Sequence, residues 1–232
     1  VRKVQSEARF RAPQPRSRPP RKKWILAPVA ALAVAAALVA VPWGKDDGRA
    51  YATWTPIPVA LTPAEIDLVG SACRKDMRRY DLLDLDRAHL VLAERRGEYV
   101  AMLYRTEGPD MVATCLAHNL PGTDDVEDLN TGAASGSDSP RTTPAGRFED
   151  GALTDDGAVS ITEGTVGPDV AGLTVHAGTL TVQATVSNGR WVAWWPGPAV
   201  EWVGQAQTRD LMTYDLTLRD GSVIRDAKPW RG

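Results

Sequence analysis

From Trp24 to Trp43 the chain reads WILAPVAALAVAAALVAVPW, with no charged or strongly polar side chain, and about 20 apolar residues are what a helix needs to cross ~30 Å of hydrocarbon. A transmembrane helix over 24–43 is the expectation. Trp24 and Trp43 suit the two headgroup regions, and Arg21, Lys22 and Lys23 on the N-terminal flank place that end in the cytoplasm. Everything from Gly44 onward is thereby expected outside. A cleaved secretory signal competes, because Leu38-Val39-Ala40 loosely resembles a cleavage site behind a basic stretch. Leu38 is large for the first of those positions and the basic region is long, so an uncleaved anchor fits better.

Beyond the apolar run the pattern changes three times. Gly44 to Leu61 is rich in Gly, Pro and polar residues, the composition of a juxtamembrane stalk. Thr62, Pro63 and Glu65 then form a capping-box signature, which predicts a helix start. Ile66, Val69, Gly70, Cys73 and Met77 fall on one arc of that helix and predict its buried face. After Asp81, the apolar-rich runs Ala88 to Glu94, Glu98 to Arg105 and Met111 to His118 are separated by turn signals at Arg96-Gly97 and Gly108-Pro109-Asp110. They predict an antiparallel meander on which the helix packs.

Thr131 to Gly146 contains no large apolar residue and reads as a flexible linker or long loop. Past it, Ser187-Asn188-Gly189-Arg190 signals a two-residue hairpin, pairing Val186 with Trp191, Ala184 with Ala193 and Val182 with Trp195. A second hairpin at His176-Ala177-Gly178-Thr179 would set Val175 opposite Leu180 and Leu173 opposite Val182. Both registers place Leu173, Val175, Leu180, Val182, Val186, Trp191 and Trp195 on one face. A third hairpin is expected at Asp220-Gly221.

The resulting fold class is α+β: one transmembrane helix, then an extracytoplasmic domain with one amphipathic helix, a small antiparallel meander and a C-terminal antiparallel β unit. Its divisions are a basic disordered tail (1–23), the membrane helix (24–43), the stalk (44–61), helix plus meander (62–130), the linker (131–150) and the β unit (151–232).

Charge sharpens the topology. The chain sums to -2, yet nine basic residues face only Glu7 before the apolar run, so the tail carries +8 and the remainder -10. Such a tail could neutralise nucleic-acid or lipid phosphates. Its Pro and Arg lack apolar periodicity, so it reads as a disordered topology signal with incidental contact to the lipid bilayer, and nucleic acid is not an expected partner.

Candidate chemistry is sparse. Cys73 and Cys115 are the only cysteines, and an even pair on the outer side of a membrane points to a disulfide. Cys73 as a nucleophile beside His89 or His118 is the weaker alternative, since no spacing predicts that they meet. His89, His118 and His176 show no metal-ligand spacing, and the acidic pairs Asp46-Asp47, Asp124-Asp125 and Asp155-Asp156 sit in loop contexts. No metal, no cofactor and no catalytic residue is expected. What stands out is aromatic: Trp191, Trp194, Trp195 and Trp202 lie close together, and the register turns Trp194 away from Trp191 and Trp195. Trp194 is therefore the candidate ligand-binding residue, unless the Trp202 to Tyr214 segment or the linker covers it.

The stretch Thr165 to Gly197, TVGPDVAGLTVHAGTLTVQATVSNGRWVAWWPG, resembles the C-terminal region of a group of uncharacterised actinobacterial membrane-anchored proteins. The shared marks are a VGPDV-type turn and an NG-W-AWWPG hairpin. The resemblance implies fold and localisation and transfers no catalytic residue. The functional expectation is a membrane-tethered binding or sensing domain facing an unknown protein or glycan of the cell envelope, with an envelope enzyme acting on wall glycan or peptide as the alternative.

Overall fold

The computed structural model describes residues 51–106, 111–135, 142–204 and 208–231. The predicted tail, the membrane helix with its flanks Arg21, Lys22, Lys23, Trp24 and Trp43, and the start of the stalk lie outside the described residues. Among the described residues no helix is long and apolar enough to cross a membrane. They form one helix and fourteen strands, with 51% of them in strands. The α+β expectation is therefore corrected to a mostly β fold with several antiparallel sheets, because much of the supposed linker and loop sequence is strand.

Helix α1 (Pro63–Arg79) begins as its sequence requires: Thr62 Oγ1 accepts from Glu65 N–H, and the Glu65 carboxylate accepts from Thr62 N–H. Strands β1 (His89–Arg96), β2 (Tyr99–Thr106), β3 (Met111–His118) and β4 (Glu127–Ser135) form the first sheet in sequential order. Next come β5 (Phe148–Asp155), β6 (Val159–Val166), β7 (Val170–Ala177), β8 (Leu180–Gln183), β9 (Thr185–Ser187) and β10 (Arg190–Pro196). The last four are β11 (Val200–Trp202), β12 (Thr208–Asp210), β13 (Met212–Leu218) and β14 (Val223–Ile224). The second sheet runs β5-β6-β10-β9, the third β14-β13-β7-β8, and β11 with β12 stands as a two-stranded arm.

Strand alternation stacks these pieces into four layers. Val100, Met102 and Tyr104 of β2 face α1 together with Ala113, Cys115 and Ala117 of β3. The alternate residues Tyr99, Ala101 and Leu103 face Val159, Ile161, Val192 and Trp194 of the second sheet. That sheet's other side carries Phe148, Trp191, Ala193 and Trp195 against Leu173, Val175, Tyr214 and Leu216 of the third. The order is helix, sheet, sheet, sheet. Strands β2 and β10 thus lie between two packed layers, which is why both are apolar nearly throughout.

The stalk from residue 51 onward is part of this body. Tyr51 is buried in the layer between the first and second sheets, and Val59 exchanges two backbone hydrogen bonds of 2.9 Å with Arg95 on the edge of β1. Residues 131–135 of the expected linker are the end of β4, in register with β3. Residues 136–141 lie outside the described set.

The NG hairpin forms as read. Asn188 and Gly189 both take positive φ, 51° and 72°, as a type I′ turn demands, and Val186 pairs with Trp191. Pairing with β10 then stops at Thr185 instead of reaching Val182. Residues 180–187 leave the second sheet at Ala184, so that β8 pairs with β7 in the third, Val175 opposite Val182. This register lies two residues from the expected one, which preserves the face. Leu173, Val175, Val182, Trp191 and Trp195 share the predicted core, with Leu180 and Val186 half-buried against it.

Cys73 and Cys115 are joined, with Cα atoms 5.9 Å apart. The bond fastens α1 to β3 and is fully buried. A closed loop of this size contributes on the order of 3–4 kcal/mol by the chain-entropy account.

Candidate partner-binding surface

Trp194 is not open to a ligand. Its ring is 0% exposed and is held edge-on by Tyr51, Trp54 and Tyr99 at centroid distances of 6.1, 6.5 and 5.9 Å. The hairpin register gave β10 one core face and one outer face. The first sheet covers the outer face, so both are core.

Among the described residues the exposed tryptophan is Trp202. It is 72% exposed, more than any other large apolar side chain among the described residues, and Val203 beside it is 46% exposed. The arm that carries it leaves the body at Gly197-Pro198, where β10 ends. Asp155 anchors its base, accepting from Ala199 N–H at 2.8 Å and Val200 N–H at 3.1 Å. Leu211 N–H donates to Ala199 C=O at 2.9 Å on the returning strand. Along the arm Glu201 pairs with Arg209 and Trp202 lies opposite Thr208. The result is a large apolar ring flanked by an ion pair and a hydroxyl, on a ribbon that packs little of itself. This segment and the linker were the two covers expected for a buried Trp194, and the first sheet with Tyr51 and Trp54 covers it instead; the Gly-Pro break after β10 was the available sign that the chain turns away.

The buried charges serve the fold. Arg96, 0% exposed, uses all five guanidinium N–H groups. It forks onto the Glu94 carboxylate at 2.6 and 3.3 Å, and also donates to the carbonyls of Thr55, Pro56 and Gln183 at 3.3, 2.7 and 2.6 Å. Those carbonyls belong to the segment before α1 and to the point where β8 gives way to β9. Thr185 donates its hydroxyl to Glu94, whose carboxyl burial pushes upward against the pull of Arg96. On the third sheet Asp215 is held down to about 2, first by the hydrogen bond from His176 and further by Arg225 and the Asp226 N–H.

Of the expected histidines, His118 alone belongs to a group of three potential metal-ligating side chains among the described residues. One ligand atom each of His118, Glu127 and Asp128 lie within 4.8 Å of one another. The disulfide removes Cys73 as a nucleophile. No protein-family model, no curated protein and no solved structure matches the chain.

Proposed function

We propose that the chain is a membrane-tethered, extracytoplasmic binding domain that engages a protein or glycan of the cell envelope through the arm at Trp202. The observation that carries this reading is the exposed Trp202 ring on a ribbon of its own, while the other tryptophans of that cluster are buried. An indole offers a large rigid contact area at low conformational cost, and exposed apolar surface of this kind marks interaction sites. Two features support the location. A buried disulfide belongs to oxidising compartments, and the basic tail followed by the apolar run 24–43 supplies the export and tethering signal in the sequence. The resemblance of the Thr165 to Gly197 stretch to actinobacterial membrane-anchored proteins points the same way.

The test is site-specific photo-crosslinking of the full chain in its native membrane. A photoreactive residue replaces Trp202, exposed Tyr80 on the far helix, or buried Trp194. A discrete adduct from position 202, absent at 80 and 194, is the expected result. Identical adduct patterns from 80 and 202 would remove the arm as the contact surface.

A further inference from the structure

His118 ends β3, and the strand beside it is irregular at that point. Leu116 pairs with Asn130 but His118 pairs with Glu127, so Asp128 and Leu129 together oppose Ala117 alone. Asp128 takes φ 48° to make this bulge. In a regular strand the side chains of Glu127 and Asp128 would point to opposite faces. The extra residue re-aims one of them, and both carboxylates reach within 4.8 Å of a His118 ring nitrogen and of each other.

The turn between β1 and β2 also brings Glu98 Oε2 to 3.3 Å from His118 Nε2. The Tyr99 ring lies 5.1 Å from the imidazole and limits its rotation. Three carboxylates therefore surround one imidazole. Among the described residues neither Glu127 nor Asp128 forms an ion pair with Arg or Lys. Like charges crowded in this way are relieved by a cation.

We infer that His118, Glu127 and Asp128 form a binding site for a divalent transition-metal cation, zinc in particular, with Glu98 orienting the His118 ring. One imidazole nitrogen with carboxylate oxygens is a donor set that zinc accepts, whereas calcium and magnesium prefer oxygen alone. Tetrahedral zinc at about 2.0–2.2 Å from each ligand sets the ligand atoms about 3.4 Å apart. Drawing the donors in from 4.8 Å takes about 1 Å of side-chain rotation, which Glu127 and Asp128, both exposed, are free to make. Three protein ligands leave the fourth position to water. A carboxylate beside the ring, as Glu98 is beside His118, is the usual support for a metal-ligating histidine.

Calorimetric titration of the metal-stripped full chain with zinc chloride tests the site, beside His118→Gln and Asp128→Asn. Asparagine tolerates the same left-handed backbone, so the second variant keeps the bulge and removes only the charge. The expected result is one zinc bound per chain, with affinity at least tenfold weaker in both variants and an unchanged zinc-free unfolding midpoint. Absence of one-to-one binding by the unsubstituted chain, or unweakened affinity in either variant, would overturn the assignment.

Discussion

Trp54 donates its indole N–H to the main-chain carbonyl of Trp194, 3.2 Å away and 140 residues further along the chain. The segment leading into α1 is thereby sewn to β10, an interior strand of the second sheet, and Trp54 packs against the cores on both sides of that sheet. Tyr51 and Trp54 close a layer to which both halves of the chain contribute. One cooperative body follows from this.

The three buried tryptophans of β10 are therefore equivalent in kind. Trp194→Ala is expected to lower stability as Trp191→Ala and Trp195→Ala do, by about 3–5 kcal/mol each through lost burial and a residual cavity. Trp202→Ala is expected to stay within about 0.5 kcal/mol. Urea unfolding of the purified chain followed by fluorescence separates the two groups. A small loss in Trp194→Ala would mean that the first sheet does not cover β10.

Arg96 bridges the segment before α1, β1 and the crossover at Gln183. Arg96→Met would leave the Glu94 carboxylate buried without its counter-charge and take a donor from each of three carbonyls, of which Pro56 C=O keeps the Gln183 N–H. The expected cost is about 3–5 kcal/mol, with a smaller loss for Glu94→Gln, which retains an acceptor for the guanidinium. The check is the urea midpoint of each variant. Equal losses in the two would show that the charge of Glu94, not the saturation of Arg96, dominates.

How much of this was legible in the sequence varies by element. The capping box at Thr62, the buried face of α1, the pairing of Cys73 with Cys115 and the I′ turn at Asn188-Gly189 depend on local chemistry, and each is present in the fold. Strand β6 shows what was not legible. Its sequence, VSITEGTV, alternates no apolar face, yet it is buried between β5 and β10.

Its polar groups are satisfied by partners far along the chain: Ser160 donates to Gly197 C=O, and Glu163 accepts from Ala152 N–H and Arg190. Gly164 in the same strand is required because a Cβ there would lie 2.5 Å from Trp191 Nε1 and 2.0 Å from Glu149 O, the two atoms joined by a 3.0 Å hydrogen bond. Only tertiary pairing makes such a segment a strand. The candidacy of Trp194 as a ligand contact failed for the same reason, since one hairpin's register fixes which residues share a face but not how many layers cover it. The cluster at His118 escaped because its donors come from paired strands and a bulge, with no sequence spacing to reveal them.

Acid should act through Asp215. Its folded pKa of about 2 lies below the ordinary 3.8, so its contribution to stability is fully present above the unfolded value. It is lost as pH falls from about 4 through about 2. The unfolding midpoint of the purified chain is expected to drop across that window, and Asp215→Asn to flatten part of the drop while lowering stability at neutral pH. An unchanged acid limb in the variant would show that the His176 and Arg225 contacts contribute nothing to the linkage.

Placement of the folded body outside the cytoplasm is the claim on which both the disulfide and the partner at Trp202 depend. It is tested most directly by fusing, after Gly232, a reporter enzyme that is active only outside the cytoplasm, and assaying intact cells. Full reporter activity, with Cys73 and Cys115 resistant to alkylation until reduced, is the result expected. An inactive reporter together with two freely alkylated thiols in the folded, unreduced chain would contradict it.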